Sequence, residues 1–426
     1  MNETIFQITE IGLIPQDWNL GSILGNFYLK GRIGWQGLKA SEFIDYGPYL
    51  VTGTDFENGH VVWDRCYHIS EERFAQDPAI HVKLKDILIT KDGTIGKTVF
   101  IDNKPEKVSL NSHLLIVRPT NNQYTNEYLY WVFNSNLFVE YYLAVQSGTT
   151  MASLSQDKIS KFKYPLPSVK EQLRIAQVLR DTDDLIQALQ RLLEKKKSIR
   201  NGALRNLLTG KRRISGFSNS WIGKNLGKSA IIKARIGWQG LTTNEYLESG
   251  DYYLITGTDF HDGRIDWEGC HYVSKERFEQ DPYIKIQEKD VLVTKDGTIG
   301  KVAYLDHIPG PGTLNSGVFV IRTKDKEISQ RYLAKVFISK FFDDFIDSIV
   351  AGSTIIHLYQ KDIVKFDFFV PPTIDEQDAI CDIIEDMDNE IRSLSKKLDK
   401  YVMLKEGMLQ QLLTGKVRVL KTGDNV

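Results

Sequence analysis

R-I-G-W-Q-G-L runs from Arg32 to Leu38 and occurs again, letter for letter, from Arg235 to Leu241. The copying extends well beyond that stretch. Y-L-V-T-G-T-D-F at Tyr49 to Phe56 returns as Y-L-I-T-G-T-D-F at Tyr253 to Phe260, and R-F-x-Q-D-P at Arg73 to Pro78 returns at Arg277 to Pro282. K-D-G-T-I-G-K occupies Lys91 to Lys97 and Lys295 to Lys301, while Leu110-Asn111-Ser112 matches Leu314-Asn315-Ser316. The offset stays near 204 and about half the positions of 49–118 match their copy. That period far exceeds the roughly 20–50 residues of a solenoid repeat, so the chain carries one domain twice.

Each copy is followed by a segment of another kind. Ser168-x-x-Glu171 after Pro167, and Thr373-x-x-Glu376 after Pro372, have the form of a capping box that opens a helix. Apolar residues then step by threes and fours through Ile175, Val178, Thr182, Leu185, Leu189, Leu192, Lys196, Ile199, Ala203 and Leu207. The second series is Ile380, Ile384, Met387, Ile391, Leu394, Leu398, Tyr401, Met408 and Leu412. This spacing predicts a coiled-coil seam. Both segments close on L-L-T-G-K, with Gly210 and Gly415 as helix stops. Each helix should hold roughly 40 residues and span about 60 Å. Gly202 and Gly407, at matching interior positions, predict a close backbone approach or a shared kink.

The expected fold is therefore α+β: two similar globular domains separated by two long antiparallel coiled-coil helices, with a pseudo-two-fold axis inside one chain. The expected division is 1–167, 168–213, 214–371 and 372–426. Inverted copies are the arrangement that DNA readers use on inverted half-sites.

The chain has 426 residues, 42% hydrophobic and 26% charged, in the ordinary globular range. No apolar run approaches the roughly 18 residues of a membrane span, and the first residues do not read as a signal peptide, which predicts a cytoplasmic protein without a membrane partner. Three cysteines argue against a disulfide framework. Cys66 and Cys270 lie beside His68 and His271, but at unequal spacing and without a second ligand pair, so buried small hydrophobes are expected rather than zinc. A net charge of −1 is unusual for a nucleic-acid binder. Such a chain would need its cations on one surface, or partners that grip the phosphates.

Within each globular copy, strands are expected over 86–90, 98–101 and 114–117 and a helix over 126–143, with Asp92-Gly93 as a tight turn between the first two strands. K-D-G-T-I-G-K lacks the spacing of an NTPase phosphate loop, and Val302 follows Lys301 where that loop needs a hydroxyl. Gly93, Thr94 and Gly96, with Gly297, Thr298 and Gly300, could clamp a nucleic-acid backbone flanked by Lys91, Lys97, Lys295 and Lys301. The plainer reading is a hairpin whose glycines serve positive φ.

Arg32, Gln36, Arg235 and Gln239 have the side chains that read guanine and adenine bidentately in a major groove. The alternative is a glycine-rich turn anchored by Trp35 in the core. Thr54, Asp55, Thr258 and Asp259 could face DNA or merely cap a turn. Asn111 and Asn315 join the candidate readers, and Thr149, Thr150, Ser353 and Thr354 suit hydroxyl contacts to a backbone. Glu57/His261, His60/Arg264, Val62/Asp266 and Arg65/Gly269 differ between the copies and are expected mostly to face solvent. No catalytic set is apparent. On the residues alone an NTPase built on Gly93 to Lys97, or a coiled-coil scaffold without sequence-selective binding, stays open.

The alternation of two globular domains with two helices resembles the specificity subunit of type I restriction-modification enzymes. Each helix is introduced by P-L-P or V-P-P, then Glu171-Gln172 or Glu376-Gln377, and ends in L-L-T-G-K. The resemblance implies two target recognition domains, one for each half of a bipartite double-stranded DNA site, with the helices as a ruler. It implies assembly with two modification subunits, which carry S-adenosylmethionine and methylate adenine, and with restriction subunits that use ATP and magnesium; no cofactor is implied for this chain. In this family the two recognition domains usually differ. Here they are close copies, which implies a nearly palindromic target.

Overall fold

The computed structural model describes residues 4–32, 37–146, 153–235, 240–350 and 357–419. The chain forms two compact units, Met1–Gln190 with Lys396–Val426, and Arg191–Ser395. This grouping differs from the linear division expected above, because each unit takes half of each long helix.

In the first unit, a four-stranded antiparallel sheet has the order Thr98–Phe100, Ile87–Thr90, Leu114–Pro119, Phe27–Lys30. Side chains alternate across a strand, so a fully buried run implies cover on both faces. Ile87, Ile89, Leu115 and Val117 join one core with Phe133, Phe138, Ile175, Leu179, Leu412 and Leu413. Leu88, Val99, Leu114 and Ile116 join a second core with Val51, Phe56, Cys66 and Leu110. That second core carries a three-stranded sheet, in which Ile44–Val51 pairs in parallel with Val108–Leu110 and antiparallel with Tyr67–His68. The second unit repeats the plan, with Val291, Val293, Phe319 and Ile321 on one side and Leu292, Val318 and Val320 on the other.

The single helix expected over 126–143 is two helices, Asn126–Phe133 and Asn136–Gln146. Ser135 breaks it: its hydroxyl donates to the Val132 carbonyl at 2.6 Å, a local bond that competes with the helical ladder. Ser339 does the same with Val336 in the second unit.

The long helices are Val169–Leu208 and Ile374–Leu413, 40 residues each, as the sequence spacing predicts. They run antiparallel within each unit. In the first, Thr182 Oγ1 lies 3.8 Å from Met408 Sδ and Lys405 pairs with Asp183. In the second, Arg200 Nε donates to Asp388 at 2.8 Å and Lys196 pairs with Glu390 at 2.6 Å.

One expectation about these helices is corrected, and one alternative of another is excluded. Along the middle of the first helix the buried seam positions are Ile175, Leu179, Ile186, Leu189 and Leu193, and Leu207 is buried near its end as expected, whereas Leu185, Leu192 and Ile199 are 37–48% exposed. The heptad is real, but its second apolar position falls one residue later than expected. A Cβ placed on Gly202 or Gly407 would meet nothing within 4 Å, so neither glycine serves a close backbone approach.

Candidate nucleic-acid interface

Within the first unit the repeated motifs meet at one end of the four-stranded sheet. The Gly53 turn packs on Thr90, where an added Cβ would stand 3.0 Å from Thr90 Cγ2. Lys91 N donates to the His113 carbonyl at 2.9 Å, and Lys97 Nζ donates to the Phe56 carbonyl. Arg32 Nε donates to the Leu110 carbonyl at 2.9 Å. Thus Arg32, Thr54, Asp55, Lys91 to Lys97 and Asn111, far apart in sequence, are gathered by the fold.

The hairpin between Ile87–Thr90 and Thr98–Phe100 is wider than the two-residue turn expected. Thr90 N donates to the Lys97 carbonyl and Gly96 N to the Thr90 carbonyl, each at 2.9 Å, while the Thr90 hydroxyl donates to the Thr94 carbonyl. The second copy keeps this set: Thr294 N to Lys301 O at 2.9 Å, Gly300 N to Thr294 O at 3.0 Å, and the Thr294 hydroxyl to Thr298 O at 2.6 Å. Gly93, Gly96, Gly297 and Gly300 have φ of 69°, 81°, 66° and 82°, the left-handed region that side chains avoid. Gly93, Thr94, Gly297 and Thr298 form exposed tips. Backbone amides, a hydroxyl and nearby ammonium groups are the donor types that position a phosphate backbone.

Several candidates sit otherwise than their residue type implied. Arg32 and Arg235 are each 2% exposed, so these guanidiniums do not present a fork to a groove. Arg32 Nη2 donates to Ser109 Oγ at 3.0 Å; Arg235 repeats the pattern with Leu314 O at 2.9 Å and Thr313 Oγ1 at 3.1 Å. Burial, with Arg73 or Arg277 nearby, pushes both below the ordinary arginine value. They brace the Val108–Leu110 and Gly312–Leu314 strands from within.

Asp55 and Asp259 are also buried, accepting from the Thr52 and Thr256 amides at 2.7 Å, and so cap their turns; only Thr54 and Thr258 are exposed there. Asn111 and Asn315 are half-buried, and their side-chain oxygens accept from His113 N and Gly317 N at 3.1 and 2.9 Å. Lys97 and Lys301 differ in exposure, the former being exposed and the latter half-buried. Lys295 is covered: its side chain is 13% exposed and lies 3.5 Å from Asp296. Lys91 is half-buried. Gln36, Gln239, Trp35, Thr149, Thr150, Ser353 and Thr354 lie outside the described residues.

Cys66 and Cys270 are buried in their domain cores, and burial beside Asp55 and Asp259 pushes both thiols upward. His68 Nδ1 lies 2.7 Å from the Gly47 carbonyl. Of the four pairs that differ between the copies, Val62 is half-buried and the other residues are exposed; Glu57 pairs locally with Arg65, and Arg264 with Asp306.

One functional constellation escaped sequence reasoning. Ser168 and Thr373 cap their helices by accepting from Glu171 N and Glu376 N, but the glutamate side chains do not close a capping box. Glu171 is buried and accepts from Arg418 Nε at 2.7 Å, Arg418 Nη2 at 2.8 Å and Trp18 Nε1 at 3.0 Å. Glu376 accepts from Arg213 Nε at 2.8 Å, Arg213 Nη2 at 3.0 Å and Trp221 Nε1 at 3.4 Å. Gln172 and Gln377 bond the main chain at Thr125 and Ser329, each locking its helix onto its globular domain. In each unit the residues beyond the end of one long helix therefore clamp the start of the other. The signals in the sequence were an arginine three residues after each T-G and a tryptophan, Trp18 and Trp221, repeated at the same offset as the recognition motifs.

A family model described as a type I restriction modification DNA specificity domain matches residues 34–197 and again 239–401. The chain belongs to this family and carries its domain twice. In a type I restriction-modification system a chain of this family is the specificity subunit, a non-catalytic component that assembles with other subunits and DNA. The type I restriction enzyme MjaVIII specificity subunit of Methanocaldococcus jannaschii is 24% identical over 425 residues, covering 95% of this chain and 94% of that protein. The EcoBI specificity subunit of Escherichia coli is 22% identical over 361 residues, covering 77% and 72%. The crystal structure of the S subunit from M. genitalium shares the fold, with a TM-score of 0.60 at 15% identity over 93% of this chain and 96% of that one. Among the described residues no helix is long and apolar enough to cross a membrane.

Proposed function

We propose that each globular copy reads one half of a bipartite double-stranded DNA target, and that the two half-sites are inverted near-copies. The observation that carries this is the matched hydrogen-bond set of the two loop ends, down to the arginine brace and the left-handed glycines. Matched scaffolds present Thr54 and Thr258, and the tips Gly93-Thr94 and Gly297-Thr298, as exposed groups. Lys91, Gln36 and Gln239, with Thr149, Thr150, Ser353 and Thr354, complete the contacts in this reading. Lys97, Lys301, Asn111 and Asn315 border them.

The two 40-residue helices serve as the ruler between half-sites and as the seat of two modification subunits, which use S-adenosylmethionine to methylate adenine. Restriction subunits with ATP and magnesium would join the same assembly in the cytoplasm. With a net charge of −1 on this chain, the partners supply much of the phosphate grip.

The test is a genome-wide map of methylated adenines in a host that carries the system. Two short inverted half-sites, about one duplex turn or roughly 10 bp apart centre to centre, are expected. Two unrelated half-sites would refute the proposal.

A further inference from the structure

Besides the unequal exposure of Lys97 and Lys301, the two loop ends diverge at the carboxylate that follows the first lysine of K-D-G-T-I-G-K. In the first copy the His113 ring lies against it, Nδ1 to Asp92 Oδ2 at 3.2 Å, with the histidine side chain 63% exposed. Main-chain bonds hold this residue on both sides: His113 N donates to Asn111 Oδ1 at 3.1 Å, and its carbonyl accepts from Lys91 N at 2.9 Å. A neutral imidazole whose Nδ1–H points to a carboxylate keeps Nε2 as an acceptor on its opposite side. Among the described residues no hydrogen bond occupies that nitrogen.

In the second copy the matching residue is Gly317. Asp296 is met instead by His357, which precedes Leu358 and whose counterpart in the first copy is Ser153. The equivalence is structural as well, since Leu154 N and Leu358 N donate to the Lys91 and Lys295 carbonyls at 2.8 and 2.9 Å. His357 Nε2 lies 3.5 Å from Lys295 Nζ, and its side chain is 27% exposed. Both of its nitrogens face partners inside the domain, so this histidine braces the loop and presents nothing outward.

We infer that His113 is a specificity-determining residue for the half-site read by the first copy, and that the other half-site lacks the corresponding contact. The outward Nε2 acceptor suits the exocyclic amine of cytosine or adenine in a major groove. The near-palindrome is then broken at one base position. This inference rests on the proposal that the loop end faces DNA.

The test uses the full chain assembled with its modification subunits, and methylation of a DNA library randomised across both half-sites. His113→Gly is expected to lower selectivity at one position of one half-site by roughly tenfold, and to leave the other half-site unchanged. The reverse change, Gly317→His with His357→Ser, should add selectivity at the equivalent position of the second half-site. Gly317 can accept a side chain, because its φ is not left-handed and an added Cβ would stand 3.3 Å from Asn315 Oδ1 and 3.5 Å from Asp296. Lys91→Ala serves as the control for the loop end. If it weakens binding while His113→Gly alters neither motif nor affinity, the inference falls and the DNA-facing reading stands. If neither variant has an effect, both fall. A uniform loss of affinity in His113→Gly complexes that melt like the parent would make His113 a phosphate anchor and overturn the specificity role.

Discussion

Arg418→Ala tests the clamp that ties the chain's last described segment to the start of the first long helix. The Glu171 carboxylate is 3% exposed and accepts three hydrogen bonds, two of them from Arg418. The same guanidinium bonds Asp17 at 2.9 and 2.7 Å and lies 5.4 Å from the Trp18 ring. Its removal leaves Glu171 buried with the Trp18 N–H. Breaking a buried pair from one side costs about 3–5 kcal/mol. The Asp17 bond adds under about 1 kcal/mol, since that carboxylate is 45% exposed. Arg418 itself is 14% exposed, so water can enter the space it vacates, and the lower end, about 3 kcal/mol, is expected. For a unit of 150–250 residues each kcal/mol moves Tm by about 2–4 °C, so a fall of roughly 6–12 °C follows. Calorimetry of the full chain measures it, and hydrogen exchange at Ile175 and Leu413 assigns the loss to the first unit. Adding Glu171→Gln to Arg418→Ala should recover part of the loss, because no charge then stays buried. A fall below about 2 °C, or a double variant less stable than the single one, would refute the reasoning.

Lys91→Ala should weaken DNA binding by the assembled complex without changing the preferred sequence, and reduce the slope of log affinity against log salt by about one. Lys295→Ala should change that slope less, since its ammonium is covered beside Asp296; equal effects would contradict this placement. Deleting seven residues, two helical turns, from each long helix near Leu189 and Leu394 removes about 10 Å and keeps the heptad phase. The preferred spacer should shorten or binding collapse, and retention of the original spacer would refute the ruler. The Glu245 carboxyl is held at about 2, first by the Arg277 hydrogen bond and then by Thr242 N–H and O–H. Its folded value is depressed, so its contribution is complete above the ordinary carboxylate value of 4.5 and disappears as pH falls through about 2. Glu245→Gln should flatten the acid limb of the stability curve over that window, and an unchanged limb would show that the pair with Arg277 does not act.

The repeat, the two 40-residue helices, their termini and the central hairpin strands were all legible in the amino-acid sequence. Each rests on local chemistry: proline and hydroxyl residues at helix starts, glycine at their ends, buried β-branched runs at strands. Family membership was legible for the same reason, since it is carried by the order of these elements.

What the sequence could not decide was which partner each side chain takes. Val178-Leu179, Leu185-Ile186 and Leu192-Leu193 are adjacent apolar pairs, so two heptad phases fit the first helix equally well. Only packing selected Leu179, Ile186 and Leu193. Glu171 has the spacing of a capping box, yet Arg418, 247 positions away, takes its carboxylate. Arg32 and Asp55 have the side chains of base readers, and the fold buries both as braces. His113 carries no motif at all; it matters because the fold brings its ring to Asp92 with the opposite nitrogen outward. Local propensity follows from residues a few positions apart. The partner of a charged or polar group is set by the requirement that buried donors and acceptors be satisfied, and that requirement is met by whatever the tertiary fold brings within reach.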